Sequence, residues 1–101
     1  MSESEHSGIE ATMRPYVEAM IEDKYPEYVD KVLYMDGHDY ALMGYMEKDD
    51  HPVTVYSFVR ILETLIIEGM DADEALDHFG YNIESAYVGE FTPVIVYDDR
   101  W

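Results

Sequence analysis

A chain of 101 residues is the size of one domain, and 48% hydrophobic with 14% aromatic residues is the composition of a folding sequence rather than a disordered tail. Twenty-three carboxylates against six Lys and Arg leave a formal net charge of −17, which argues against nucleic-acid binding through phosphates and against an anionic membrane surface. With no cysteine there is neither a disulfide framework nor a thiolate metal site, and no apolar run approaches the roughly 18 residues that suggest a membrane span.

The first stretch, residues 1–8, reads as a frayed polar terminus with Glu3 and Glu5, unlike a signal or basic transit peptide. A cytoplasmic location is the expectation. Residues 9–36 read as a helical segment. Thr12 is a candidate cap for a helix that tolerates Pro15 in its first turn, and Tyr16, Val17, Met20 and Ile21 form one helical stripe. Pro26 stops this helix and opens a second, short one with Val29, Val32 and Leu33 inward, ended by Asp36-Gly37.

The period then changes. Residues 40–47 and 53–57 read as a hairpin around Asp49-Asp50-His51-Pro52, with Pro52 at a strand start, where proline is allowed. Ser57 is a good N-cap for the clearest helix, 58–68, whose apolar face carries Phe58, Ile61, Leu62, Leu65 and Ile66. Gly69 stops it. Asp71 with Glu74 makes a capping box for a helix over 72–79, with Ala75, Leu76 and Phe79 inward and Gly80 closing it. Asn82 is a candidate cap for a further short turn. The run Pro93-Val94-Ile95-Val96-Tyr97 reads as a buried strand in the interior of the sheet.

The fold class is therefore a single α+β domain: a small three-stranded sheet, antiparallel or mixed, against two or more helices. Residues 39–97 form its ββααβ core. Ile61, Leu62, Leu65, Leu76, Phe79, Val94 and Val96 are the expected buried set.

No pattern of chemistry emerges. His6 lies in the terminus, His38 and His51 fall at opposite ends of the hairpin, and Glu74 with His78 is one i, i+4 pair without a third ligand. Asp71, Asp73 and Asp77 resemble a calcium loop, but Ala75 and Leu76 occupy the positions that need an oxygen ligand and a glycine. No nucleophile elbow or phosphate-binding glycine loop is present. No catalytic residue, metal or cofactor is expected. Of the ten tyrosines, Tyr16, Tyr56 and Tyr97 read as core or core rim. Tyr25, Tyr28, Tyr34, Tyr81 and Tyr87 fall near element ends, where a ring can serve an interface.

Four stretches together carry a resemblance: Asp39-Tyr40-Ala41-Leu42-Met43-Gly44, His51-Pro52-Val53-Thr54-Val55-Tyr56-Ser57, Ile61 through Ile83, and Ala86-Tyr87-Val88-Gly89-Glu90-Phe91-Thr92-Pro93-Val94. They resemble a family of short uncharacterised proteins of tailed phages and prophages. Gly89-Glu90-Phe91-Thr92-Pro93 is the most specific part. Ser57 stands where the family is expected to show aspartate, a change that keeps the helix cap. The resemblance covers about residues 39–96. It implies a phage origin and a shared ββααβ core, and it assigns no catalytic or binding residue.

Charge and resemblance together point to an inhibitor that occupies the basic surface of a nucleic-acid-binding host protein, as an anti-CRISPR or anti-restriction factor or a DNA mimic. Duplex DNA carries one negative charge per roughly 1.7 Å of axis, a field that dense carboxylates can imitate. The candidate contact residues are Asp49 and Asp50 in the hairpin turn and Asp71, Asp73, Glu74 and Asp77 on the helix after Gly69. An assembly module of a phage particle or replication complex, built on tyrosines and the sheet edge, is the alternative. A homo-oligomer stays open, and adaptation to high salt is a third reading of the charge.

Overall fold

The hairpin organises the chain. In the computed structural model, which describes residues 12–100, β1 (Leu42–Lys48) and β2 (His51–Ser57) pair antiparallel with Lys48 opposite His51. Only Asp49 and Asp50 lie between them, with φ of +53° and +70°. Two successive positive φ angles mark a type I′ turn, whose twist matches that of the strands. Aspartate tolerates this left-handed region better than most residues do. His51 and Pro52 are therefore strand residues rather than turn residues. Between Leu42 and Gly44 the register shifts by one, leaving Met43 as a bulge.

The third strand, β3 (Val94–Val96), pairs parallel to β2, so the mixed sheet has the order β1-β2-β3. A parallel return needs a crossover, supplied here by α2 (Phe58–Ile67), α3 (Ala72–His78) and a π-helical segment, Phe79–Glu84. The interior strand is thus β2, buried along nearly its whole length, while β3 is a short edge strand. This corrects the reading of 93–97 as the sheet's interior. Val94 and Val96 are only half-buried.

Ser57 caps α2 by accepting the Arg60 N–H at 3.1 Å. Asp98 reinforces the same end: one carboxylate oxygen accepts the Ser57 hydroxyl and the other the Val59 N–H at 3.0 Å. Burial raises the Asp98 carboxyl pKa, but these bonds and the Arg60 charge outweigh it and hold the group below its usual range. A carboxylate at a helix N-terminus also meets the positive end of the helix dipole. The α3 capping box forms as read, with Asp71 accepting from Glu74 N at 2.8 Å and Glu74 accepting from Asp71 N at 3.0 Å.

The core joins Val17 and Ile21 of α1 (Arg14–Lys24), Val32, Ala41, Leu42, Tyr56, the α2 residues Phe58, Ile61 and Leu65, and Ala75 and Phe79. Phe58, Phe79 and Tyr97 close one side as a mutual aromatic cluster, with centroids 4.8, 5.2 and 6.1 Å apart. Those distances lie within the range favoured by aromatic pairs.

Several expectations need correction. Thr12 is not the α1 cap: Met13 holds that position, and the Thr12 hydroxyl accepts the Arg14 N–H at 3.3 Å. Tyr16 and Met20 are exposed, so the α1 stripe narrows to Val17 and Ile21. After Pro26 a single 3₁₀ turn, Pro26–Tyr28, replaces the second helix, and of its proposed face only Val32 is buried. Leu76 is 47% exposed, because the face of α3 that meets α2 is centred on Ala75. Gly80 does not close α3: the chain continues into the π-helical segment, where Asn82 Nδ2 lies 3.3 Å from His78 Nδ1 instead of capping a new turn. Leu62 is partly buried against the core.

Candidate functional site

Charge is placed almost wholly outside. Of the twenty Asp and Glu in residues 12–100, eighteen are exposed and the remaining two, Asp39 and Asp98, are half-buried, so the acids are not spent on buried networks. Arg14 forms ion pairs with Glu18 at 2.9 Å and Asp39 at 2.8 Å. Three more carboxylates accept tyrosine hydroxyls: Glu47 from Tyr25 at 2.6 Å, Glu63 from Tyr40 at 3.1 Å and Glu84 from Tyr97 at 2.6 Å. The Glu47 bond, with burial and the carboxylate charge adding to it, pushes the Tyr25 hydroxyl up to about 12.

The six candidate acids fall on two separate elements. Asp49 and Asp50 occupy the hairpin tip, and Asp71, Asp73, Glu74 and Asp77 lie on or cap α3. All six are exposed. Asp71 and Glu74 are occupied by the capping box. Among the described residues, Asp49, Asp50, Asp73 and Asp77 have no ion pair or side-chain hydrogen bond. Within the α3 group, Asp73 and Asp77 stand at i, i+4, neighbours on one helical face.

A second feature was not legible from sequence. An apolar groove of about 410 Å³ runs beside β3, with Ile95 and Pro93 on one side, Leu33 and Met35 on another, and Ile83 and Val88 on a third. Two β2 side chains fix its 33–35 wall: the Thr54 hydroxyl donates to Leu33 O at 2.8 Å, and the Tyr56 hydroxyl accepts the Met35 N–H at 2.8 Å. Both residues are completely buried, so these bonds satisfy polar groups that would otherwise be costly inside. The opposite wall is a braced loop, in which Thr92 Oγ1 accepts the Val88 N–H at 3.0 Å and donates to Gly89 O at 2.6 Å. Gly89 sits at φ +106°, a conformation that suits glycine. Tyr81, Tyr87 and Val88 are 82%, 77% and 60% exposed, while Tyr25, Tyr28 and Tyr34 pack against the core.

Among the described residues, the histidines do not converge on an ion. His38 is half-buried, and burial lowers its pKa. His78 lies beside Asn82. His51 is 4% exposed and opens β2 rather than lying in the turn. Among the described residues no group of three or more His, Asp or Glu is arranged to hold a metal ion, and no helix is long and apolar enough to cross a membrane. No family model, curated protein or solved structure matches the chain.

Proposed function

We propose that this chain is a non-enzymatic, phage-type acidic inhibitor that covers the basic, nucleic-acid-binding surface of a host protein. The observation that carries the reading is the outward placement of its charge: eighteen of twenty described carboxylates face solvent on a chain of net charge −17. A surface of that kind attracts a basic partner over a Debye length and repels nucleic acid and anionic lipid. The phage resemblance of residues 39–96 supplies the setting, in which blocking a nuclease or a CRISPR complex is the benefit of such a surface. Asp49 and Asp50 at the hairpin tip and Asp73 and Asp77 on α3 are the contact residues proposed, with Asp71 and Glu74 contributing charge while serving as caps.

The test is the salt dependence of binding to a host partner captured from lysate. Charge-led binding falls steeply between about 50 and 200 mM salt, as phosphate-type contacts do. A flat profile would remove the reading. It would instead favour an assembly module, which the groove beside β3 and the exposed Tyr81, Tyr87 and Val88 support as the second reading.

A further inference from the structure

His51 sits where three segments meet. Its Nε2 lies 2.8 Å from Glu90 O in the 86–93 loop, and its Nδ1 lies 3.2 Å from Asp49 O in the hairpin turn. The ring is packed against Phe91, 4.4 Å between centroids, and Tyr28, at 6.2 Å, and those two rings touch each other at 5.8 Å. Both ring nitrogens therefore face carbonyl oxygens, which can only accept. A neutral imidazole has one donor nitrogen and one acceptor nitrogen, and only the imidazolium has two donors. The neutral ring must leave one of these carbonyls facing a lone pair inside a nearly closed site, a costly arrangement.

We propose that His51 is a proton-dependent clasp: as imidazolium it ties the 86–93 loop, one wall of the apolar groove, to the hairpin turn, and its deprotonation loosens that wall. In the neutral state the two tautomers compete. One keeps Glu90 and abandons Asp49, and the other does the reverse, so the loop and the turn are held together without interruption only by the cation.

The surroundings agree with this assignment. Glu90 from the loop and Asp49 from the turn present negative charge to the ring, and Asp50 is the other residue of the turn. Tyr28 packs against the ring from the 3₁₀ turn, where Glu27 precedes it in the chain, and Lys48, paired with His51 across the hairpin, is the one opposing cation among these residues. The Glu90 carbonyl bond raises the imidazole pKa, burial opposes it, and the Asp49 carbonyl and the two nearby carboxylates add to the rise. A raised value in the folded state means that the clasp's contribution is fully present below the ordinary imidazole value of about 6.5 and is lost as pH climbs through the folded value. By linkage, the loop's opening constant must rise across that titration by the ratio of the ring's acid dissociation constants with the loop docked and open.

Ring-nitrogen NMR across a pH series tests the first half, and amide hydrogen exchange of residues 86–93, corrected for the pH dependence of the chemical step, tests the second. We expect both His51 nitrogens to carry protons until above the ordinary imidazole value, and loop opening to increase over the same interval. In His51→Gln, which cannot titrate, loop opening should be greater at low pH and should show no such step, whatever the other histidines do. A His51 that titrates at or below the ordinary value, or that holds one neutral tautomer at about pH 6.5, overturns the proposal. So does loop opening that ignores the His51 titration, or a step that survives unchanged in His51→Gln. Should that variant fail to fold, the two wild-type profiles decide by themselves.

Discussion

Replacing Leu65 by Ala strikes the helix on which the sheet and α3 both depend. Leu65 is 2% exposed and stands in the core with Ile61, Phe58 and Ala75. Truncation removes three carbons, worth about 0.8 kcal/mol each in transfer energy, or about 2.4 kcal/mol together. The residual cavity adds about 24 cal/mol per Å³. An uncollapsed remainder of some 40 Å³ brings the loss to about 3.4 kcal/mol, well inside the observed span for buried leucines. For a domain with a total stability of about 5–15 kcal/mol, that is a large share. At about 4–8 °C per kcal/mol near this size, the melting temperature should fall by roughly 14–27 °C. Leu76→Ala is the matched comparison, because the same truncation at a residue 47% exposed should cost far less, near the 0.5 kcal/mol of surface changes. Urea titration of both variants, with unchanged slope, measures the difference. Equal losses at the two sites would mean that α3 turns Leu76 inward, and the packing described above would be refuted.

Asp98→Ala should cost about 1 kcal/mol, the usual worth of an N-cap, and should erode the α2 end in amide exchange. Since the Asp98 pKa is held down in the folded state, its stabilisation is present above the ordinary carboxyl value and is lost as pH falls through the folded value. Wild type and variant should therefore converge in acid, and a constant gap between them would remove this role. Replacing Asp49-Asp50 by Asn-Gly should raise stability by a few tenths of a kcal/mol or more, because that pair is preferred where both central φ angles are positive; a loss measured by thermal melting would contradict the turn assignment. Changing Asp71, Asp73 and Asp77 together to Asn should weaken binding to a basic partner and flatten its salt dependence, while the fold survives because Asn also caps at position 71. Unchanged affinity in a folded variant would free α3 from the proposed interface.

Local signals read well and distant ones did not. Ser57 and the Asp71–Glu74 box act within a few residues, so their chemistry is visible in the sequence, and both form. The hairpin also forms, but its turn is Asp49-Asp50 alone rather than the four residues 49–52 expected. The sheet's interior was misplaced because two runs, 51–57 and 93–97, are both apolar enough to be covered. Strand pairing chose β2 for the centre and left β3 at the edge, which no local pattern encodes. Leu76 misled because α3 has room for only Ala75 against α2, a matter of how closely two helices approach. The groove walls and the contacts of His51 with Tyr28, Glu90 and Phe91 join residues some twenty to sixty positions apart in the chain. The Thr54 and Tyr56 bonds fix the 33–35 segment on β2, and the Tyr97–Glu84 and His51–Glu90 contacts tie down the other walls. Asp71, Asp73, Glu74 and Asp77 were legible as an acidic group on one helix, all four are exposed, and the i, i+4 spacing of Asp73 and Asp77 makes them neighbours on one face.

Competition by duplex DNA tests the central claim most directly. A host protein captured by this chain in about 100 mM salt, where surface charges still act across a Debye length of about 10 Å, is titrated with a DNA duplex and followed for release. The account predicts stoichiometric displacement, with the chain in turn displacing bound DNA from the partner, since both occupy one basic surface. A ternary complex of partner, DNA and chain, with neither ligand weakening the other, would contradict it.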